Sequence, residues 1–504
     1  MKRLLIRGSA NTYKLACAGL LVLTAVAAAA VGCADDTSQA KPPPGPALIE
    51  KFQPEGCGFE VATRAEYIEF QKGTPVVSAA PDIRRVRIGL GGNVDVGATG
   101  RADPSTSAGF AWQTDIETLA SDITWGKTPD PSTWPAENRR TGITFVSPEG
   151  LISPQGDDRI HEAYLCGLDP ATTYYYRVGG GPAGKEVWSD VYSFTTTPKD
   201  PNAEVILGIS GDSRGQDNEA WRLIQRRMMK AGVTAQIFSG DMINFATDQA
   251  EWHKWLDLSW KDSDGTLSSL GQILMLPTHG NHENHAVHFY SNLVLPQDAK
   301  FPKYSELFYS VDVGPVHIVI LDDFWVTSPN GDTEYAPLLK AWLEKDLEAA
   351  NANRTNVPWI IVSHHHAEFS SSSHGEDSDV LRGREFFVPI WDKYHVDLLA
   401  LGHDHNYERT KPLSGPLAPG TLEPVVQPTP DKGTIYMVCA GAGADAYGNG
   451  TSAWTDASRT YDGTSVFGFY SFVKANKTTL SIESHELTAD ASDPVIDTYT
   501  ITKM

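Results

Sequence analysis

The sequence predicts an all-β sandwich followed by an α/β domain of two packed mixed sheets flanked by helices, and three observations predict it. Between about Asp82 and Pro198, short runs rich in Val, Ile, Tyr, Phe and Thr are split by Gly, Pro, Asp and Asn, the rhythm of a sandwich. After the turn-rich "TPKDPNA", apolar strands begin to alternate with helical segments, the rhythm of a layered α/β domain. Five of these apolar runs then end on Asp, Asn or His, where α/β domains gather functional side chains at the carboxyl edge of a sheet.

In chain order, "MKRLLIR" followed by "LACAGLLVLTAVAAAAVGC" has the basic start and apolar stretch of a bacterial export signal, not of a retained membrane span. "AVGC" resembles a lipobox, which implies that residues 1–33 form a lipoprotein signal, with Cys33 lipidated at the mature N-terminus. The chain is then expected to be exported and held at the bacterial cell envelope, contacting the membrane only through that lipid. Residues 34–48 are polar and proline-rich, as a flexible tether is. Residues 49–81 read as an N-terminal extension packed on the sandwich.

The sandwich, 82–198, is carried by "RRVRIGL", "SAGFAWQTD", "ITFVSP", "HEAYLCGL", "TYYYRVG" and "VYSFTTT". "LCGLDPATTYYYRV…WSDVYSFTTTP" resembles the last strands of a fibronectin type III-like domain, which implies core and corner roles for Leu168, Tyr174 and Tyr176. The α/β part, 202–504, is carried by "EVILGIS", "AQIFSG", "QILMLPT", "VHIVILD", "WIIVSH" and "VDLLALG". In "DNEAWRLIQRRMMKAG", Trp221, Leu223, Ile224, Met228 and Met229 fall on one side of a helix that stops at a glycine. Beyond Gly433 the chain returns to strands, expected to complete the second sheet.

A length of 504 residues with 41% hydrophobic side chains suits two or three domains with cores of their own. A formal net charge of −22 repels nucleic acid and anionic lipid, so no nucleic-acid binding is expected. A phosphorylated substrate must then be drawn in by a local positive charge, as a metal provides. Cys57, Cys166 and Cys439 cannot all pair; export permits one disulfide, and Cys166 reads as a small buried apolar side chain.

The five strand ends are "ISGDSRG" with Asp212, "FSGDMIN" with Asp241, "PTHGNHEN" with Asn281, His282 and Glu283, "VSHHHAEF", and "LALGHDHNYER" with His403 and His405. A lone Asp after a strand is usually a cap or turn residue. Five clusters of oxygen and imidazole donors instead suit two hard-to-borderline cations. The order GD…GD…GNHE…H…GHxH resembles the calcineurin-like metallophosphoesterases. "GNHE" with "GHDHNYER" behind a fibronectin-like module is similar to the purple acid phosphatases in particular, over roughly residues 82 to 490.

That resemblance implies a four-layer domain with a dinuclear centre of Fe, Zn or Mn. Asp212 and His405 would bind the first metal, Asn281, His365 and His403 the second, and Asp241 would bridge them. Counting from Trp359 lands on His365; His364 is expected to point back into the fold, and a one-residue slip to His364 or His366 is the competing assignment. His282 and His374 match family histidines that contact phosphate or protonate the leaving group. His285, His288 and His317 match no role, and His317, inside an apolar strand, reads as structural.

Two positions depart from the pattern. Purple members place a tyrosine three residues after the bridging aspartate, and here Asn244 stands there as a weak ligand or a hydrogen bonder to a ligand. A histidine two residues after the first aspartate is common in metallophosphoesterases. Here it is Arg214, which cannot ligate a cation but suits a phosphate oxygen or an ion pair with a nearby carboxylate. The expectation is an exported hydrolase that splits small phosphate monoesters with a metal-bound hydroxide, without tyrosinate colour. The competing expectations are a phosphodiesterase on the same scaffold and a surface binding lipoprotein with an inactive catalytic domain.

Overall fold

In the strand Ser107–Asp115, Ala108, Phe110 and Trp112 enter one core and Ala111 enters another, the two-residue repeat of a strand with both faces covered. The computed structural model describes residues 47–148, 158–214, 219–262, 265–267, 269–298 and 300–503. The expected export signal, the expected lipidation site Cys33 and nearly all of the expected tether lie outside them. Among the described residues no helix is long and apolar enough to cross a membrane.

Ser107–Asp115 lies in a five-stranded antiparallel sheet in the order Ile68–Lys72, Ile143–Val146, Asp158–Cys166, Ser107–Asp115, Arg84–Gly89. A second sheet joins Thr173–Gly180 to Asp122–Gly126, Tyr192–Thr195 and Val187–Trp188, with Arg139–Thr141 beyond. Val86, Phe110, Trp112, Ile123, Tyr176 and Phe194 fill the space between the sheets. Leu168, Tyr174 and Tyr176 are buried there as expected. The short strand Asp122–Gly126 has no legible alternation, and the sequence reading missed it.

The extension is more than a cover. Ile68–Lys72 is itself an edge strand, and Phe52, Phe59, Val61 and Phe70 pack on the outer face of the five-stranded sheet. Cys57 and Cys166 form a disulfide that fastens this segment, and Cys439 is free and buried. Cys166 is therefore not the plain apolar side chain expected. A pairing across 109 residues leaves no local trace in the sequence.

The α/β part has two sheets. One runs Met275–Pro277, Ala235–Phe238, Val205–Ser210, Val466–Ala475, Thr479–Thr488, Val495–Thr502. Its first three strands are parallel and its last three antiparallel. The other has seven strands around a parallel centre of Val316–Leu321, Trp359–Ser363, Leu398–Leu401 and Ile435–Cys439. Ile209, Ile237, Val319, Ile361, Leu399 and Val473 share one core between the sheets. Helices Glu219–Ala231 and Gln249–Trp260 accompany the first sheet; Tyr335–Ala352 and Ser378–Tyr394 accompany the second. Trp221, Leu223, Ile224 and Met228 are buried as the helical spacing requires, while Met229 is half-buried.

The C-terminal strands divide between the sheets. Ile435–Cys439 and Thr455–Arg459 join the second, whereas the three strands of 466–502 extend the first. The expectation that all would complete the second sheet is corrected by the open edge of Val205–Ser210, which needs a partner for its backbone groups.

The sandwich is tied to the α/β part by hydrogen bonds and an ion pair. The Ile88 N–H donates to Leu270 O at 2.7 Å, and Tyr176 OH donates to Gly271 O at 2.7 Å. Arg85 grips Asp257 through Nε at 2.8 Å and Nη2 at 2.9 Å.

Candidate metal centre

Asp212, Asp241, Asn281, His365 and His403 all leave the carboxyl ends of parallel strands, so the two sheets present them along one edge. Asp212, Asp241 and His403 have φ of +58°, +58° and +73°, a left-handed backbone that costs on the order of 1 kcal/mol or more for a residue with a Cβ. It turns each chain back sharply enough to aim the side chain over the sheet edge. Backbone groups lock the turns: the His403 N–H donates to Asp212 Oδ1 at 3.0 Å and the His282 N–H to Asp241 Oδ1 at 3.0 Å. Glu283, fully buried, accepts the N–H groups of Asp241, Met242 and Gly280 at 2.9, 2.7 and 2.7 Å. The "GNHE" motif therefore brings its own strut for the neighbouring aspartate loop, a role the sequence reading did not assign.

Two sets of donors meet at Asp241. In one, His365 Nε2 lies 2.9 Å from Asn281 Oδ1 and 3.4 Å from Asp241 Oδ1, and His403 Nδ1 lies 3.2 Å from Asn281 Oδ1. In the other, donor atoms of Asp212, Asp241 and His365 lie within 4.8 Å of one another, and His405 Nε2 sits 3.5 Å from Asp212 Oδ1. The imidazoles are held by their far nitrogens: His365 Nδ1–H donates to Ser239 O at 2.7 Å and His405 Nδ1–H to Asp445 O at 2.5 Å. Each thus turns its Nε2 inward, the orientation a metal ligand needs.

The donors fit a pair of cations. Asp212 Oδ2 is buried without a hydrogen-bond partner among the described residues. Burial, and then the neighbouring Asp241, push the Asp212 carboxyl up to about 8 against the pull of His365. Burial alone would depress His365, but Asp241 and Asp212 outweigh it and raise it to about 10. Burial and Arg214 hold His405 down to about 3, which keeps its imidazole neutral and able to donate a lone pair. Gly402 supplies room: a Cβ there would meet Asp212 Oδ2 at 2.6 Å and His365 Nδ1 at 3.0 Å. Carboxylates, an amide oxygen and imidazoles around a pocket short of positive charge suit two borderline divalent or trivalent ions.

The three consecutive histidines separate cleanly. His365 enters the cluster. His364 points back into the fold, with Nδ1 3.0 Å from Asp323 and Nε2 3.0 Å from Glu368. The His366 N–H donates to Asp323 Oδ2 at 2.8 Å, and its ring lies 4.4 Å from that of His403. Asp323 thus clamps the residues on either side of His365. It ends the apolar run "VHIVILDD", the same signal that marked the other strand ends, and the sequence reading overlooked it.

The two departing positions have different outcomes: the Asn244 side chain is not among the metal donors, and Arg214 takes the ion pair, one of its two expected roles. The Asn244 side chain is engaged away from the cluster, its Nδ2 donating to Glu251 Oε1 at 3.4 Å while its N–H donates to Oε2 at 2.8 Å. Its contribution is the backbone carbonyl, which accepts from His282 Nδ1 at 2.8 Å. Arg214 pairs with a carboxylate, and that carboxylate is Asp241, at 3.3 Å from Nε. Its Nη2 also reaches His405 Nε2 and Tyr447 OH, each at 3.2 Å. Tyr447, unassigned from sequence, stacks on His405 with ring centres 4.0 Å apart.

His282 is half-exposed, its Nε2 4.0 Å from Asp241 Oδ2. His374 stands beside His403, ring centres 4.6 Å apart, with Nδ1 2.8 Å from Asp377. His317 is structural as expected, lying between Asp312 at 2.7 Å and Asp346 at 2.9 Å.

His279, His285 and Asp322 form another close group. His279 Nε2 accepts the His285 N–H at 2.8 Å, so its ring proton sits on Nδ1 facing Asp322, and it has no lone pair to give an ion. This group is a hydrogen-bonded triad.

Residues 95–196 match the family described as "Purple acid Phosphatase, N-terminal domain", and residues 187–407 match "Calcineurin-like phosphoesterase". A phosphoenolpyruvate phosphatase of Allium cepa is 26% identical over 365 residues, 67% of each chain. Purple acid phosphatase 1 of Ipomoea batatas is 26% identical, over 57% of this chain and 59% of its own. Among solved structures, the purple acid phosphatase PPD1 from yellow lupin seeds shares the fold at a TM-score of 0.63, with 19% identity, covering 83% of this chain and 74% of that one. With its all-β N-terminal domain, its layered α/β domain and this edge of converging donors, the chain is a purple acid phosphatase-like metallophosphoesterase.

Proposed function

We propose that the protein is an exported, metal-dependent phosphatase that hydrolyses phosphate monoesters at a dinuclear centre. The observation that carries this reading is the position of Asp241, whose carboxylate lies between the Asp212–His405 set and the Asn281–His365–His403 set. When bound, the two ions supply the Lewis acid that activates water and neutralises charge on the phosphoryl oxygens.

The protein's own groups do the rest. His365, His403 and His405 hold their lone pairs inward through carbonyl and ring contacts that fix their orientation. Arg214 places a planar cation at the mouth of the first set, where it can pair with a phosphoryl oxygen. His282 is anchored at Nδ1 by the Asn244 carbonyl, and its Nε2 faces the cleft to protonate the leaving oxygen. His374, held by Asp377, flanks the second set beside His403 and is the alternative donor to that oxygen.

Export and a lipid anchor at Cys33 are supported by the first 33 residues, and the Cys57–Cys166 disulfide suits an oxidising compartment. Metal-loaded protein should hydrolyse p-nitrophenyl phosphate faster than its bis-ester. Equal or reversed rates would favour a phosphodiesterase, and protein that purifies without two ions per chain and is inert to both would favour a binding role.

A further inference from the structure

The cleft over the first metal set encloses about 960 Å³, large enough for much more than a phosphoryl group. Its inner end carries Arg214, His282 and His405. Away from that end the lining changes in sign. Among the described residues the acidic side chains there are Glu219, Asp445 and Asp462, and the apolar surface comes from Phe245, Phe467 and the ring of Tyr447.

These carboxylates differ in how far they are already neutralised. Glu219 pairs with Arg222 on its own helix. Asp462 accepts the Ser465 hydroxyl and the N–H groups of Thr464, Ser465 and Val466, which hold it well below the usual carboxylate range and keep it ionised. Asp445 is exposed, and its carboxylate has no hydrogen bond or ion pair among the described residues. Arg214 is turned to Asp241 and so does not neutralise them. Phe245 is 59% exposed at the rim, an apolar face left open by the described residues. Carboxylates beside open aromatic faces are the surroundings that an organic cation prefers.

We infer that the cleft selects phosphate monoesters whose leaving group carries a positive charge on an aromatic or apolar body, and discriminates against leaving groups bearing further negative charge. This rests on the phosphatase reading above. The phosphoryl end is drawn to the cationic inner end, and the leaving group then crosses the acidic wall. Attraction and repulsion between charges a few ångströms apart persist in water and grow as the site dries. Two uncompensated carboxylates therefore separate a cationic from an anionic leaving group by ~10-fold or more in kcat/KM.

The test uses metal-loaded full chain and three phosphotyrosine peptides of equal length, flanked by Lys, Ala or Glu, with p-nitrophenyl phosphate as reference. The expected order of kcat/KM is Lys above Ala above Glu, with a spread of ~10-fold or more at low salt that shrinks as the Debye length falls. Asp445→Asn should compress the Lys-to-Glu ratio, and Asp462→Asn provides a second, independent compression. Because the readout is a ratio, any change in overall rate from either substitution drops out. Equal rates for the three peptides, a reversed order, or a ratio untouched by both substitutions would overturn the inference while leaving the phosphatase reading intact. If p-nitrophenyl phosphate and every peptide are left unhydrolysed, the phosphatase reading fails and takes this inference with it.

Discussion

Asp323 Oδ2 lies 3.0 Å from His364 Nδ1, and this buried hydrogen bond, with the His366 N–H on the same oxygen, holds both neighbours of His365. Removing the carboxylate leaves His364 beside Glu368 alone and frees the His366 N–H. Asp323→Ala should cost about 3–5 kcal/mol of stability, as breaking a buried pair does. It should also weaken metal binding ~10- to 100-fold, as loss of a ligand's support does. Thermal unfolding and a metal titration of the same variant check the two effects.

Asp241 is the one carboxylate common to both donor sets. Asp241→Ala should lower kcat/KM for p-nitrophenyl phosphate by at least ~10³-fold, since the ions account for several kcal/mol of transition-state stabilisation. Metal content should fall below two ions per chain while the sandwich stays folded, read by elemental analysis and circular dichroism. Retained turnover would remove Asp241 from the centre.

The side chain at position 244 is an amide turned to Glu251. Iron-loaded protein should therefore lack the intense visible band of a tyrosinate–ferric pair. An absorption spectrum decides it. A strong band would point to Tyr447, whose hydroxyl is 3.2 Å from Arg214 Nη2, as a phenolate reaching the first ion from another loop.

His317 gives a pH dependence away from the metals. Its burial favours the neutral ring, but Asp346 and Asp312 outweigh it and raise it from 6.5 to about 9. The stabilisation is fully present below about 6.5, where the unfolded ring is also protonated, and is lost as pH rises through about 9. Its size is at most about 3 kcal/mol. Unfolding in urea between pH 6 and pH 10 should show this decline, and His317→Gln should flatten it.

The Cys57–Cys166 bond closes a loop spanning 109 residues. Cys57→Ser should lower stability by about 2–4 kcal/mol through a freer unfolded chain. The cleft lies in the other domain, so kcat should change little. Melting with and without reductant, followed by an activity assay, tests both statements.

Much of this was legible in the chain because strand-end chemistry is local. Each of Asp212, Asp241, Asn281, His365 and His403 directly follows an apolar run, so sequence alone could place it at a sheet edge. The spacing of Asn244 from Asp241 suggests a weak ligand or a hydrogen bonder to one because it carries no sign of Glu251, which turns the side chain aside from the start of the next helix. Tyr447 sits in a glycine-rich loop with no periodicity, and only the fold brings its ring onto His405. Cys57 and Cys166, and the antiparallel partner of Val205–Ser210, are set by pairings between distant segments. No window of sequence contains both sides of such a pairing.

That last pairing bears on how the protein is made. Val205 lies opposite Ala475, so among the described residues the strand that delivers Asp212 has that edge covered by a segment far downstream of it in the chain. Pairing of such distant segments forms late. A polypeptide made only as far as the donor motifs therefore has those motifs but not their finished support, and competence waits for the strand Val466–Ala475.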